Sequence, residues 1–189
     1  MSRLSPTYKF LRFLGFNYSE EQYGNITLRS LMRKVLITYR NAFILRVLFN
    51  STLFEPVAPR RFRPWLLRVM GANVGKNVFI GSKVWFDAYN ISFLDIEDGV
   101  HIAGECTILC HQRDLSNYKK GNDYGKLGYR REKIILKKGC MIGQRTMIMP
   151  GVSIGEGSII GAFSLVTKDV PNWCIAFGRP AKKIRNIQS

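Results

Sequence analysis

Two histidines stand in the 189 residues, His101 and His111. Imidazole changes charge near neutrality, so a histidine beside a reacting hydroxyl can act as a general base. His111 sits just before a stretch, residues 112–133, rich in Tyr, Lys, Gly and Asp. Taken alone, it reads as a surface histidine at a loop entrance. A base is usually oriented by a third group. Asp114 and Glu132 are the loop carboxylates available for that task, and each also reads as a solvated loop charge. Cys110 adjoins His111 and raises a thiol nucleophile. Neighbours on a strand face opposite ways, which argues against a Cys110–His111 dyad. The other cysteines are Cys106, Cys140 and Cys174. The four show no CxxC spacing, so we expect reduced buried thiols and no metal. His101 falls at a corner position and is expected to be a plain exposed histidine.

The elements that must carry these residues follow a six-residue period. Leu136, Ile142, Ile148, Ile154, Ile160 and Val166 are all branched aliphatics. Ile, Leu and Val make up 46 of 189 residues, so six in a row in one register has a chance of roughly 2 in 10,000. A second column, four places later, is small or β-branched: Cys140, Thr146, Val152, Ser158, Ser164 and Val170. Earlier fragments at Val74, Ile80, Ile96, Ile102 and Ile108 repeat the grammar. Period six fits neither a helix nor a plain strand. It fits a coil whose faces each give a short strand and a turn, with the aliphatic pointing inward and stacked on its equivalent one coil away. Cys106 and Cys140 fall in the small inward column. The register breaks between Ile108 and Leu136, where residues 112–133 read as an extruded loop, and between Ile80 and Ile96, around Asp87.

This grammar resembles the hexapeptide-repeat acyltransferases over residues 71–187, in particular their galactoside, maltose and polysaccharide O-acetyltransferase branch. Its most specific stretches are residues 151–171 (GVSIGEGSIIGAFSLVTKDVP) and 178–185 (GRPAKKIR). The resemblance implies an all-β solenoid, a left-handed parallel β-helix with three hexads per coil. The expected organisation is an N-terminal amphipathic helical and connecting segment over 1–70, the β-helix over 71–171 with loop 112–133, and an exit segment over 172–189. The family acts by acyl transfer from acetyl-CoA to a sugar or glycan hydroxyl, as a homotrimer with the cofactor in grooves between subunits. Its catalytic histidine falls at His111. Asp87 matches roughly a substrate-contacting Asn of the galactoside branch. Tyr118, Tyr124 and Tyr129 could stack on a sugar ring or simply pack the loop. Carried over by position, backbone at Gln144 and Ala162 would hydrogen-bond the pantetheine arm, and Thr167, Lys168, Lys182 and Arg185 would sit near the nucleotide. Met141 stands where the sugar acetyltransferases often carry Trp, and Phe163 where they carry a small Gly, which alters the thioester pocket.

Other functional classes are compatible with a six-residue repeat. A zinc carbonic anhydrase on this fold needs three histidines per metal. A non-catalytic scaffold would need neither the histidine beside a long loop nor the basic exit. A nucleotide-sugar N-acetyltransferase or a drug acetyltransferase shares the fold and stays open.

The net charge is +16, which attracts polyanions. No nucleic-acid-binding signature accompanies it. Arg12 interrupts the first apolar residues, so no signal peptide is expected. The apolar region Leu31–Phe54 is broken by Arg33, Lys34, Arg40 and Arg46, and a spanning helix needs about 20 mostly apolar residues. Leu28, Leu31, Met32, Val35, Leu36, Tyr39 and Phe43 recur at helical spacing, ahead of a connection around Pro56, Pro59 and Pro64. This amphipathic helix suits an anionic membrane surface or a cap on the first coil; both readings stay open. The expected location is cytoplasmic, with peripheral attachment at the inner membrane face under the first reading.

Overall fold

The structure is a computed structural model that describes residues 4–16, 18, 20–51, 55 and 57–188. Phe54 and Pro56 lie outside the described residues. The chain divides into two units, Met1–Arg40 with Arg113–Arg130, and Asn41–Gln112 with Arg131–Ser189.

The larger unit is a three-sided coil of two- and three-residue parallel strands. One sheet stacks β1 (Asn73–Val74), β4 (Leu94–Ile96), β9 (Ile134–Leu136) and β12 (Ser153–Ile154). A second stacks β2 (Phe79–Ile80), β5 (His101–Ile102), β10 (Met141–Ile142), β13 (Ile159–Ile160) and β15 (Cys174–Gly178), and ends on the antiparallel β16 (Ala181–Asn186). The third stacks β3 (Trp85–Phe86), β6 (Thr107–Ile108), β11 (Met147–Ile148) and β14 (Leu165–Val166). The chain visits the three sheets in rotation, so three hexads complete one coil. Residues in register share a column: Ile80, Ile102, Ile142 and Ile160 lie one above another.

The sequence dictates this arrangement. All six aliphatics from Leu136 to Val166 are buried, at most 1% exposed. The small column fills the corners, where Ser158 and Ser164 hydroxyls donate to the carbonyls of Pro171 and Gly161. Branched aliphatics stacked in register give one continuous apolar core. Ile44, Phe49, Leu66, Leu67 and Met70 join that core. The last three belong to α4 (Arg63–Met70), which packs on β1 and β2. Arg63 is buried there. It donates to Phe49 O at 3.0 Å and Ile80 O at 3.2 Å, and pairs with Glu55.

The smaller unit holds α1 (Pro6–Phe13), α2 (Glu20–Tyr23) and most of α3 (Leu28–Phe43). Ser5 caps α1, its hydroxyl accepting from Tyr8 N–H at 3.1 Å, with Pro6 at the first helical position. Tyr8, Leu11 and Ile26 form a small core with Leu4, Tyr23 and Leu31 against it. Among the described residues no helix is long and apolar enough to cross a membrane.

At Gly75, Gly81, Gly143 and Gly155 coil sits on coil with no room for a side chain. A Cβ at Gly143 would lie 2.5 Å from Ala162 N and 2.7 Å from Ile160 O of the following coil. Gly143→Ala should therefore cost about 1–3 kcal/mol through forced separation of the coils. Gly128→Ala, whose Cβ would meet nothing within 4 Å, should be near neutral. Thermal denaturation of both variants checks this, and an unchanged Tm in Gly143→Ala would refute the close corner.

Candidate active site

The first chemistry-bearing residue follows from the strand alternation. Cys110 points inward and is 1% exposed. His111, the next residue, opens β7 (His111–Arg113), which pairs with β8 (Tyr129–Arg131) where the chain leaves and rejoins the coil. Its side chain is 31% exposed. Burial first, and the charge of Asp87 second, push the Cys110 thiol up to about 12. Burial likewise raises Cys106 to about 11 and Cys140 to about 12. Thiols held neutral in this way are poor nucleophiles.

The second residue comes from the earlier register break. After β3 the chain makes a tight turn in which Asn90 N–H donates to Asp87 O at 3.1 Å, leading into a 3-10 turn at Ile91–Phe93. Asp87 is 1% exposed and its Oδ2 contacts His111 Nδ1. Asn90 Nδ2 donates to the same Oδ2 at 2.9 Å and lies 3.2 Å from His111 Nδ1. Oδ1 of Asp87 is buried with no hydrogen-bond partner among the described residues. The turn is itself anchored: the buried Asn41, near the end of α3, donates to Ala88 O at 3.2 Å.

This geometry assigns the protons. With a carboxylate on Nδ1, the neutral ring carries its hydrogen there, and Nε2 bears the lone pair. The Asn90 amide then serves the carboxylate rather than the ring. A buried carboxylate with one oxygen lacking a donor is poorly solvated by the protein. It gains most when the imidazole becomes cationic, as it does on taking a proton.

The residues expected from sequence fall as follows. Asp87, expected at the acceptor, has one oxygen on the imidazole. Asp114, expected to orient His111, accepts from Ser116 N–H at 3.0 Å in its own turn, and the Ser116 N–H first, its hydroxyl second, hold its carboxyl below the usual range. Glu132 donates its N–H to Cys110 O at 3.0 Å, and its half-buried carboxylate lies against Gly151. Tyr124 and Tyr129 lie on the Arg113 guanidinium, with ring centres 5.2 Å and 4.2 Å away. That contact occupies one face of each, so they pack the loop as well as lining it. Tyr118 is 46% exposed. His101 is not the bare surface histidine expected: its ring stacks on Phe79 at 4.1 Å, and burial first, then Arg60, lower its pKa.

Gln144 and Ala162 occupy one corner of successive coils. Phe163 N–H donates to Gln144 O at 2.8 Å. The side chain of Gln144 donates to Glu105 at 3.2 Å. Phe163 holds a left-handed backbone, φ 59°, under the Arg145 guanidinium. Thr167 and Lys168 are exposed just after β14, and Lys182 and Arg185 are exposed on β16. Sequence reasoning missed Asn90 and Asn41. Asn90 left a signal, an Asp-x-x-Asn spacing at a point where the period fails; Asn41 left none.

Residues 133–168 match the family model described as bacterial transferase hexapeptide (six repeats). The galactoside O-acetyltransferase of Lactococcus lactis is 34% identical over 120 residues, 60% of this chain and 55% of that protein. The chain spans 55–58% of the length of the curated relatives it matches. The maltose O-acetyltransferase of Clostridium difficile shares the fold, with a TM-score of 0.64 and 22% identity over 83% of this chain and 89% of that one. A mutant of AntD, an N-acyltransferase from Bacillus cereus solved with dTDP and coenzyme A, gives a TM-score of 0.52 and 26% identity over 60% of this chain and 62% of that one. With the repeat matched over residues 133–168 and its three-sided coil described, the chain carries the bacterial transferase hexapeptide repeat and is similar to acetyltransferases that share it.

Proposed function

We propose that this chain is an acetyl-CoA-dependent O-acetyltransferase acting on a sugar or glycan hydroxyl, with His111 as general base. The observation that carries the reading is the Asp87–His111 contact, buttressed by Asn90, at the root of the long loop. The coil is read as left-handed, as in the family. The acceptor hydroxyl gives its proton to His111 Nε2 while its oxygen attacks the thioester carbonyl. Asp87 orients the ring and stabilises the imidazolium that forms. The imidazolium then returns the proton to the departing thiolate, and the acetyl ester leaves on the acceptor.

Coenzyme A, bound by the AntD structure, would lie along the corner of Gln144 and Ala162. Thr167, Lys168, Lys182 and Arg185 would meet its nucleotide, cations suiting its phosphates. The subunits are proposed to close as a trimer, because flat coil faces leave Trp85 and Met141 exposed. The compartment is the cytoplasm, which keeps thiols such as Cys106 reduced. The AntD likeness favours a second reading, an amine acceptor on a nucleotide-linked sugar. A CoA-release assay over glycan hydroxyl and amino-sugar acceptors separates the two.

His111→Ala should lower kcat by about 10²–10⁴ while the fold, read by circular dichroism, is kept. Asp87→Asn should lower kcat by about 10–10³ with KM for acetyl-CoA little changed, since tautomer control is lost and binding is not. Near-normal turnover in either variant would sink the assignment. Transfer should be direct. Mass spectrometry after acetyl-CoA alone should find no acetyl group on Cys110, and a stoichiometric adduct there would overturn the ternary-complex mechanism. Light scattering should give three times the 21.7 kDa chain mass; a stable monomer at micromolar concentration would refute the trimer.

A further inference from the structure

The smaller unit carries an apolar surface that the acyl-transfer reading does not use. On α3, Leu28, Met32, Val35, Leu36, Tyr39 and Phe43 are exposed, from 43% at Val35 to 72% at Tyr39. At 3.6 residues per turn they fall in one stripe about 100° wide. Arg29, Arg33 and Arg40 fall along one edge of that stripe. The adjacent helix repeats the pattern: Phe10, Phe13 and Leu14 are exposed at 60%, 85% and 52% beside Lys9 and Arg12. Chain composition sharpens it. From Asn25 to Phe54 there is no Asp or Glu, against five Arg or Lys.

Within the larger unit, Ile44, Phe49 and the α4 residues Leu66, Leu67 and Met70 share the apolar core of the coil. The stripe residues of α3 take no part in either apolar core. An exposed stripe of this width is unfavourable in water and calls for an occupant.

We propose that α1 and α3 form an interfacial anchor for an anionic lipid bilayer, with the α3 stripe among the acyl chains and Arg29, Arg33 and Arg40 at the headgroups. Charge decides between occupants. A second copy of the same acid-free helix would bring like charges together, which disfavours self-association. A surface bearing lipid phosphates complements the cations and also receives the apolar stripe. Tyr39 and Phe43 give it aromatic side chains suited to the interface. The inference stands apart from the acyl-transfer reading, since its test reads binding and not turnover.

Sedimentation with vesicles tests it. Full-length protein should pellet with mixed phosphatidylglycerol–phosphatidylcholine vesicles, and far less with phosphatidylcholine alone. Added salt should weaken the binding. Arg29→Glu with Arg33→Glu should lower the partition coefficient at least about thirtyfold. Leu36→Ser with Tyr39→Ser should lower it at least about tenfold. Light scattering and thermal melts should be unchanged in both pairs, since all four side chains lie on the surface. Failure of the wild type to bind anionic vesicles overturns the proposal, as does equal binding by wild type and charge reversal. A change of oligomeric mass in Leu36→Ser with Tyr39→Ser, with vesicle binding intact, would make the stripe a protein interface and equally overturn it.

Discussion

Everything in the larger unit depends on how closely one coil lies on the next. Parallel strands in a ladder stand about 4.8 Å apart, and at the corners the backbone of one coil touches that of its neighbour. Gly143 records the constraint, since a single added carbon would strike Ala162 N. The same spacing stacks Ile142 on Ile160 and on Ile102. It also brings outward side chains face to face, which is why Phe79 and His101, in register on β2 and β5, stack at 4.1 Å. A residue's surroundings are thus set by its equivalents one coil away more than by its sequence neighbours.

That rule explains what could be read from sequence. The inward columns were legible because each position repeats the same physical demand, a branched aliphatic on the face and a small residue at the corner. Both register breaks were legible as failures of the period. Their contents were not. Asp87 and His111 are 24 residues apart, and no local pattern announces that a tight turn after β3 meets the root of a loop after β6. The loop carboxylates lie nearer in sequence, so Asp114 and Glu132 were the expected orienters of His111, whereas the side chain found against its Nδ1 is Asp87. His101 was misjudged for the same reason. Its corner position suggested exposure, and only the register on Phe79 reveals the stack.

Helices outside the coil obeyed local rules and were partly legible. The stripe on α3 follows from spacing alone. The start of α1 follows from Ser5 and Pro6, a cap and a first-turn proline. The packing of the segment after α3 did not follow. Apolar spacing did not announce that Ile44, Phe49, Leu66, Leu67 and Met70 share the apolar core of the coil.

The breaks hold the Asp87–His111 contact for a physical reason. A regular hexad offers its interior only to apolar or small side chains, because every inward position is sealed by coils above and below. A carboxylate placed there would be desolvated without donors. The turn at residues 87–90 leaves the hexad, and that departure supplies the donor: Asn90 folds back to hold Asp87 while His111 meets the same oxygen. Asn41 steadies the turn by bonding Ala88 O, a role no hexad residue could fill. Among the described residues, the buried charge of the coil, Asp87, sits where the repeat lapses. Under the proposed acyl-transfer reading, proton transfer depends on the residues that interrupt the pattern, while the unbroken hexads supply the frame that holds them.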